Sequence, residues 1–268
     1  MYEIISSITS IIIATCGLSA VIAAVVAYVQ YKKQTRDKMR DINYEKKKCA
    51  CDMAYLFAEE IIPLASSLKN IIKESDSDAY EQLFRIFLSN EIADFDEAES
   101  IELLSKSEHD QDYVEKALYE VKPEVICKAK MSLCKNEHDR SVLYNHYMDN
   151  SVDNDTENSA QKIALLYSDY RLMQSSLLNK IEWFSMVFHY GIADEETVYQ
   201  SLHQAFLSTV NLMYFRIASH NTYAPNKYYT NLIWLYNHWS ERLITYQRDQ
   251  KQREREAKSH IHTASSVE

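Results

Sequence analysis

The chain holds 268 residues, with 29 Lys and Arg against 39 Asp and Glu, a formal net charge of −10 and 46% hydrophobic residues. That balance supplies apolar mass for a sizeable core and excludes an intrinsically disordered chain. Only two Gly and three Pro occur, too few for a many-hairpin sheet, a Rossmann core or a phosphate-binding loop, so the sequence predicts an all-α protein.

Residues 4–29 form a run of 26 without a charged side chain, long enough to cross a bilayer as one helix. Only Glu3 precedes it, while Lys32, Lys33, Arg36, Lys38 and Arg40 follow. A cleaved signal peptide carries its cations ahead of the apolar stretch. The pattern therefore predicts a single N-terminal transmembrane helix with its N-terminus outside, continuing into a cytoplasmic helical bundle. The expected organisation is an anchor over 1–31, a basic juxtamembrane helix over 32–73, a helical domain over 74–247 and a polar tail over 248–268.

Charge is unevenly spread. Residues 30–48 carry eight cations to three acids, which suits anionic lipid headgroups, with Lys32, Lys33, Arg36, Lys38 and Arg40 as the contacts. Residues 74–124 carry sixteen acids to four cations, a surface that repels a nucleic-acid backbone, so no strong nucleic-acid partner is expected. The five cysteines show neither a disulfide framework nor zinc-ligand spacing and read as free thiols. Neither metal nor cofactor is expected.

Further along, the helical pattern runs past Tyr44 and Tyr55 to Pro63, which is expected to kink or end it. Tyr80, Leu83, Phe84, Phe87 and Leu88 recur at amphipathic spacing, with a start signal over residues 75–78. Short helices are expected near residues 100–104 and 112–121, with a break at Pro123. Another covers 125–147, with residues 135–140 as its weak point. Residues 149–159 read as an exposed loop. The strongest signal is 163–190, closed by Gly191 as a left-handed cap, after which Asp194 is expected to cap the next helix. Residues 197–215 lack formal charge, yet Gln200, His203, Gln204 and Asn211 make them a buried helix rather than a span. A last helix carries Tyr228, Trp234 and Trp239 and runs into a polar end.

Within the first span, Cys16, Ala20 and Ala24, with Gly17, Ala23 and Ala27 beside them, offer small faces through which membrane helices can pack. Ser6, Thr9 and Ser10 cluster at its outer end and could line a wet lumen between copies, or simply bond to their own helix. For catalysis there is no HExxH, no Gly-rich loop and no nucleophile elbow. One pair stands out: Arg140 and His146, separated by five residues, the spacing of HEPN ribonucleases, in which a His moves a 2′-OH proton and an Arg stabilises the phosphorane. Arg253 with His260, and Arg255 with His260 or His262, fit the same loose spacing in the polar tail. The twenty Tyr exceed what one core needs and favour a homo-oligomer.

One N-terminal span, its basic collar, a Gly-poor helical body and the Arg140 and His146 pair together resemble the small membrane accessory proteins of type VI-B CRISPR systems. That resemblance implies a divergent HEPN-like domain and a ring-like, pore-forming oligomer in a bacterial inner membrane, which would assist an RNA-guided CRISPR nuclease pathway in antiviral defence. It also makes Arg140 and His146 the HEPN positions, although Ser141 stands where the family places a polar Asn. The run Ile181, Glu182, Trp183 and Phe184 and the turn from Gly191 to Glu196 are similar to a broad class of bacterial one-span helical proteins. Three readings stay open: a pore-like effector, a membrane-tethered HEPN-type ribonuclease, and a scaffold without chemistry.

Overall fold

The computed structural model describes residues 2–106, 121–147, 156–222 and 225–265; side chains are described within 27–256, apart from Ala79, Leu83, Ser89, His146 and 156–159. Among these residues the fold is all-helical, with no strand. The expected helix at 112–121, apart from Val121, and residues 149–155 of the expected loop lie outside the described residues; 156–159, expected in that loop, already form the first turn of a helix.

The first helix, α1 (Tyr2–Leu56), is 55 residues long, about 80 Å at 1.5 Å per residue. Ahead of Pro63 the α-helical course gives way at Leu56 to a different turn without leaving the helical conformation. In a regular helix Pro63 would leave the Glu59 carbonyl without its donor and press its ring against it. Instead the preceding turn widens: Phe57–Ile61 form a π-turn, in which the Ile62 N–H donates to the Phe57 carbonyl. The next helix, α2 (Ile62–Ser75), then starts with Pro63 in its first turn, where no N–H is needed. Phe57 and Ile61 are fully buried, so the widened turn faces the core.

Next come α3 (Ser77–Ser89), α4 (Glu97–Ser105), α5 (Pro123–Leu133) and α6 (Glu137–Tyr147). The single helix expected over 125–147 divides at residues 134–136, because the Asn136 carboxamide accepts the Asp139 N–H and starts a new helix. Three long helices complete the body: α7 (Thr156–His189), α8 (Glu195–Asn221) and α9 (Thr230–Ser265).

Gly191 sits at φ +63° and closes α7. Its N–H reaches the Phe188 carbonyl at 2.9 Å, and the Ile192 N–H reaches Val187 at 2.9 Å, the paired bonds of a Schellman end. Asp194 occupies the N-cap position of α8, but its carboxylate accepts the Thr197 hydroxyl at 2.6 Å rather than a backbone N–H.

The core is aromatic where α1, α7, α8 and α9 meet. Ring centroids lie 5.0 Å apart for Phe57 and Phe184, 5.9 Å for Phe184 and Phe206, and 4.9 Å for Phe206 and Trp239. Phe57, Phe184, Phe206 and Trp239 are all fully buried.

These contacts fix the helix directions. Tyr236 bonds Asn211, Trp239 packs on Phe206, and Arg242 meets Tyr199 and Glu196, so α9 runs antiparallel to α8 and rises toward its N-terminus. Near that same end the Asp194 N–H donates to the Lys46 carbonyl at 3.1 Å, while Phe57 meets Phe184 farther down. Residues 27–45 of α1 are exposed throughout, as are 245–249 and 251–256 of α9. A stalk (27–45) and an arm (243–265) therefore leave the body from one end, the end that carries the Gly191 turn.

Candidate functional site

At the head of the α8 and α9 pair lies an open groove of about 930 Å³, lined among others by Glu195, Glu196, Tyr199, His203, His238 and Arg242. The helical period places His238, Trp239 and Arg242 where α9 passes the first turns of α8. Arg242 stacks over the Tyr199 ring at 3.7 Å and donates from Nη1 and Nη2 to the two Glu196 oxygens at 2.7 Å each. Glu195 accepts the buried Trp239 indole N–H at 3.0 Å and lies 3.2 Å from His238 Nε2. His238 in turn stacks on Trp234, with centroids 5.1 Å apart.

The hydrogen bonds from Arg242 hold the Glu196 carboxyl below its usual range, and Glu196 raises the guanidinium in return. Burial pushes the Tyr199 hydroxyl up. Arg242 Nη1 also lies 3.4 Å from Glu195 Oε1, so the guanidinium is committed to two carboxylates. With Glu241 and Asp249 also lining the groove, its charge is net acidic, which disfavours a phosphodiester. Among the described residues no group of three or more His, Cys, Asp or Glu could hold a metal. The arrangement locks the α8 N-terminus to α9.

The pair singled out in the sequence lies elsewhere. Arg140 is exposed on α6, and its Nη2 donates to the Cys134 carbonyl at 3.3 Å, bridging back to the end of α5. The His146 side chain lies outside the described residues; on one helix, six residues of separation set two positions about 120° apart around the axis. Ser6, Thr9, Ser10, Cys16, Gly17, Ala20, Ala23 and Ala24 all fall on α1, with their side chains outside the described residues, whereas Ala27 is exposed. Lys32, Lys33, Arg36, Lys38 and Arg40 are exposed on the stalk. No helix among the described residues is long and apolar enough to cross a membrane, so the single transmembrane helix expected over 4–29 finds no support in the structure. Of the thiols, Cys127 is buried, Cys49 and Cys134 are half-buried and Cys51 is exposed.

Two carboxylates do work the sequence reading did not assign. Glu99 accepts the N–H groups of Ala93, Asp94 and Phe95 at 2.6, 3.0 and 2.8 Å and the Tyr214 hydroxyl at 2.5 Å, clamping a loop in which Phe95 holds φ +52°. Burial, reinforced by Glu99, raises the Tyr214 hydroxyl far above the tyrosine range. The Asp96 and Glu99 spacing is that of a capping box, a legible signal. Glu182 caps α9 from another helix, accepting the Asn231 and Leu232 N–H groups at 3.2 and 2.8 Å. Local sequence carries no sign of that.

Compared with protein-family models, curated proteins and solved structures, the chain matches none.

Proposed function

We propose that the chain is a single-span inner-membrane protein that holds its helical body at the cytoplasmic face and acts by assembling laterally with further copies. The observation that carries this reading is the unbroken course of α1 from Tyr2 to Leu56. It joins the charge-free run 4–29 to a body that grips the same helix through Lys46 and Phe57. A rigid connection of that kind transmits any rearrangement of the spans to the bodies.

The stalk refines the expected lipid contacts. At about 1.5 Å per residue, Lys32, Lys33 and Arg36 lie within roughly 10 Å of Val29, one screening length, while Lys46 stands about 25 Å below it. The first three cations are therefore the headgroup contacts in this reading, and Lys38 and Arg40 lie at or beyond its edge. Lateral assembly is supported by the exposed Tyr28, Tyr31, Met39 and Ile42, which fall within about 80° of arc at 100° per residue. One span encloses no pore, so permeabilisation as a defence effector, the activity implied by the CRISPR accessory resemblance, requires several copies around an axis. The ribonuclease reading is not favoured: Arg140 is taken up by a carbonyl, and the groove between α8 and α9 is acidic.

The test is extraction of membranes with alkaline carbonate, followed by light scattering of the detergent-solubilised protein. The reading expects retention in the pellet and a detergent-corrected mass of several 31.3 kDa chains. Release into the supernatant would overturn the anchor, and a monomer would overturn the assembly.

A further inference from the structure

Some cations of the stalk and its foot stand too deep for lipid. Arg40 lies about 16 Å along α1 from Val29, where the charge-free run ends, and Lys47 about 27 Å, both beyond one screening length of the headgroups. Arg36, Arg40, Tyr44, Lys47 and Cys51 recur at spacings of four, four, three and four, which at 100° per residue gathers them within about 80° of arc. The acids Asp37, Asp41, Glu45 and Asp52 fall outside it. All five side chains of the row are exposed, and Arg36, Arg40 and Lys47 form no ion pair among the described residues. The row is centred about 110° round the helix from Ala50, Met53 and Phe57, which the body covers. It therefore faces away from the chain's own body.

The groove between α8 and α9 offers the opposite charge at the same depth. Its Glu195 and Glu196 follow Asp194, whose N–H is held by the Lys46 carbonyl at 3.1 Å, so this part of the groove stands level with Tyr44 and Lys47. Arg242 is engaged by Glu195 and Glu196. Glu241 and Asp249, by contrast, are exposed in the groove and form no ion pair among the described residues. Tyr246, 59% exposed, adds an aromatic face on which a cation can lie. Because the basic row turns away from its own body, the groove it meets belongs to another copy. Copies held in one bilayer by the same span stand at the same height, which brings row and groove into line.

We propose that the α1 face of Arg40, Tyr44 and Lys47 docks into the α8 and α9 groove of a neighbouring copy, its cations meeting Glu241 and Asp249. This rests on the reading of the chain as an α1-anchored protein that assembles laterally, and it names the contact. Row and groove are different surfaces, so the contact is head-to-tail: each docked copy still presents its own groove to the next, and the assembly closes into a ring or runs on as a file. Opposite charges across the contact fix its orientation as well as its partner.

The experiment measures the detergent-corrected mass of the whole chain by light scattering at low ionic strength. Arg40→Glu with Lys47→Glu, and separately Glu241→Lys with Asp249→Lys, are each expected to lower the assembled mass. All four changes in one chain are expected to restore it, since face and groove have then exchanged signs. An unchanged mass in either pair would overturn the proposal, and so would a loss that the combined variant does not restore. As a direct readout, p-benzoylphenylalanine in place of Tyr44 is expected to cross-link on irradiation to residues 238–249 of a second copy. Cross-links confined to lipid or to the neighbour's α1 would overturn the docking. A parent chain that is already a monomer is a different failure: it removes the assembly reading, and this contact with it.

Discussion

Along α1 a single arc of the helix meets two environments. Ala50 and Met53 are buried against the body at 0% and 7% exposure, whereas Met39 and Ile42, on the same arc two to four turns earlier, stand 57% and 50% exposed. The stripe is continuous in sequence, and only its lower part finds a partner within the chain. Apolar periodicity therefore reports that a face is to be covered without reporting by what: in the body the cover is chiefly α8, and on the stalk no described residue supplies one.

The sharpest break of that comparison is in the body. Trp239→Ala removes the ring that joins Phe184, Phe188, Tyr199 and Phe206 and is expected to cost about 3–5 kcal/mol by chemical denaturation. The equivalent insult to the stalk, Met39→Ser with Ile42→Ser, is expected to change unfolding by less than about 0.5 kcal/mol per site while lowering the assembled mass in detergent. A large loss of stability from the stalk pair would mean that the stripe is covered within the chain.

Second in size is Gly191→Ala. Its φ of +63° is left-handed, and an added Cβ would meet only the Lys46 Nζ at 4.0 Å, so the cost is conformational, about 1–2 kcal/mol. Glu182→Ala removes the acceptor for the first N–H groups of α9 and is expected to cost about 1 kcal/mol in the same assay.

The smallest effect is a pH dependence. Burial, then the neighbouring Arg216, holds His220 below its ordinary value of 6.5, so the folded chain keeps it neutral. The unfolded chain takes up the proton first. This contribution is therefore complete above pH 6.5 and is lost as pH falls through 6.5 toward the folded value. Denaturation midpoints at neutral and mildly acidic pH should converge in His220→Phe relative to the parent chain; an unchanged pH slope would contradict the burial argument.

What was legible follows from the range of each signal. The all-α class, the amphipathic helix of Tyr80 and Phe87, the Gly191 cap and the existence of the long final helices rest on periods and caps within a few residues, and they stand as read, although the last helix begins at Thr230 and leaves Tyr228 in the preceding loop, where Tyr229 holds φ +58°. Pro63 was legible as a disturbance but not as a π-turn, because the choice between breaking and widening depends on the core around Phe57. The lock of Arg242 on Glu196 and Tyr199 spans more than forty residues and left no mark in local pattern. Nor did Glu182 at the head of α9. The spacing of Arg140 and His146 was visible, but spacing on one helix does not bring two side chains together.

The central claim is that α1 carries the body on the cytoplasmic side of a membrane, and Cys51 allows a direct test because it is the exposed thiol at the foot of the stalk. Intact spheroplasts are treated with a membrane-impermeant maleimide, alongside a sample opened with detergent. The account predicts that Cys51 is protected in intact cells and labelled after opening, a difference abolished in Cys51→Ser. Labelling of Cys51 in intact spheroplasts would place the body outside, and a Cys51 recovered in the soluble fraction would remove the anchor.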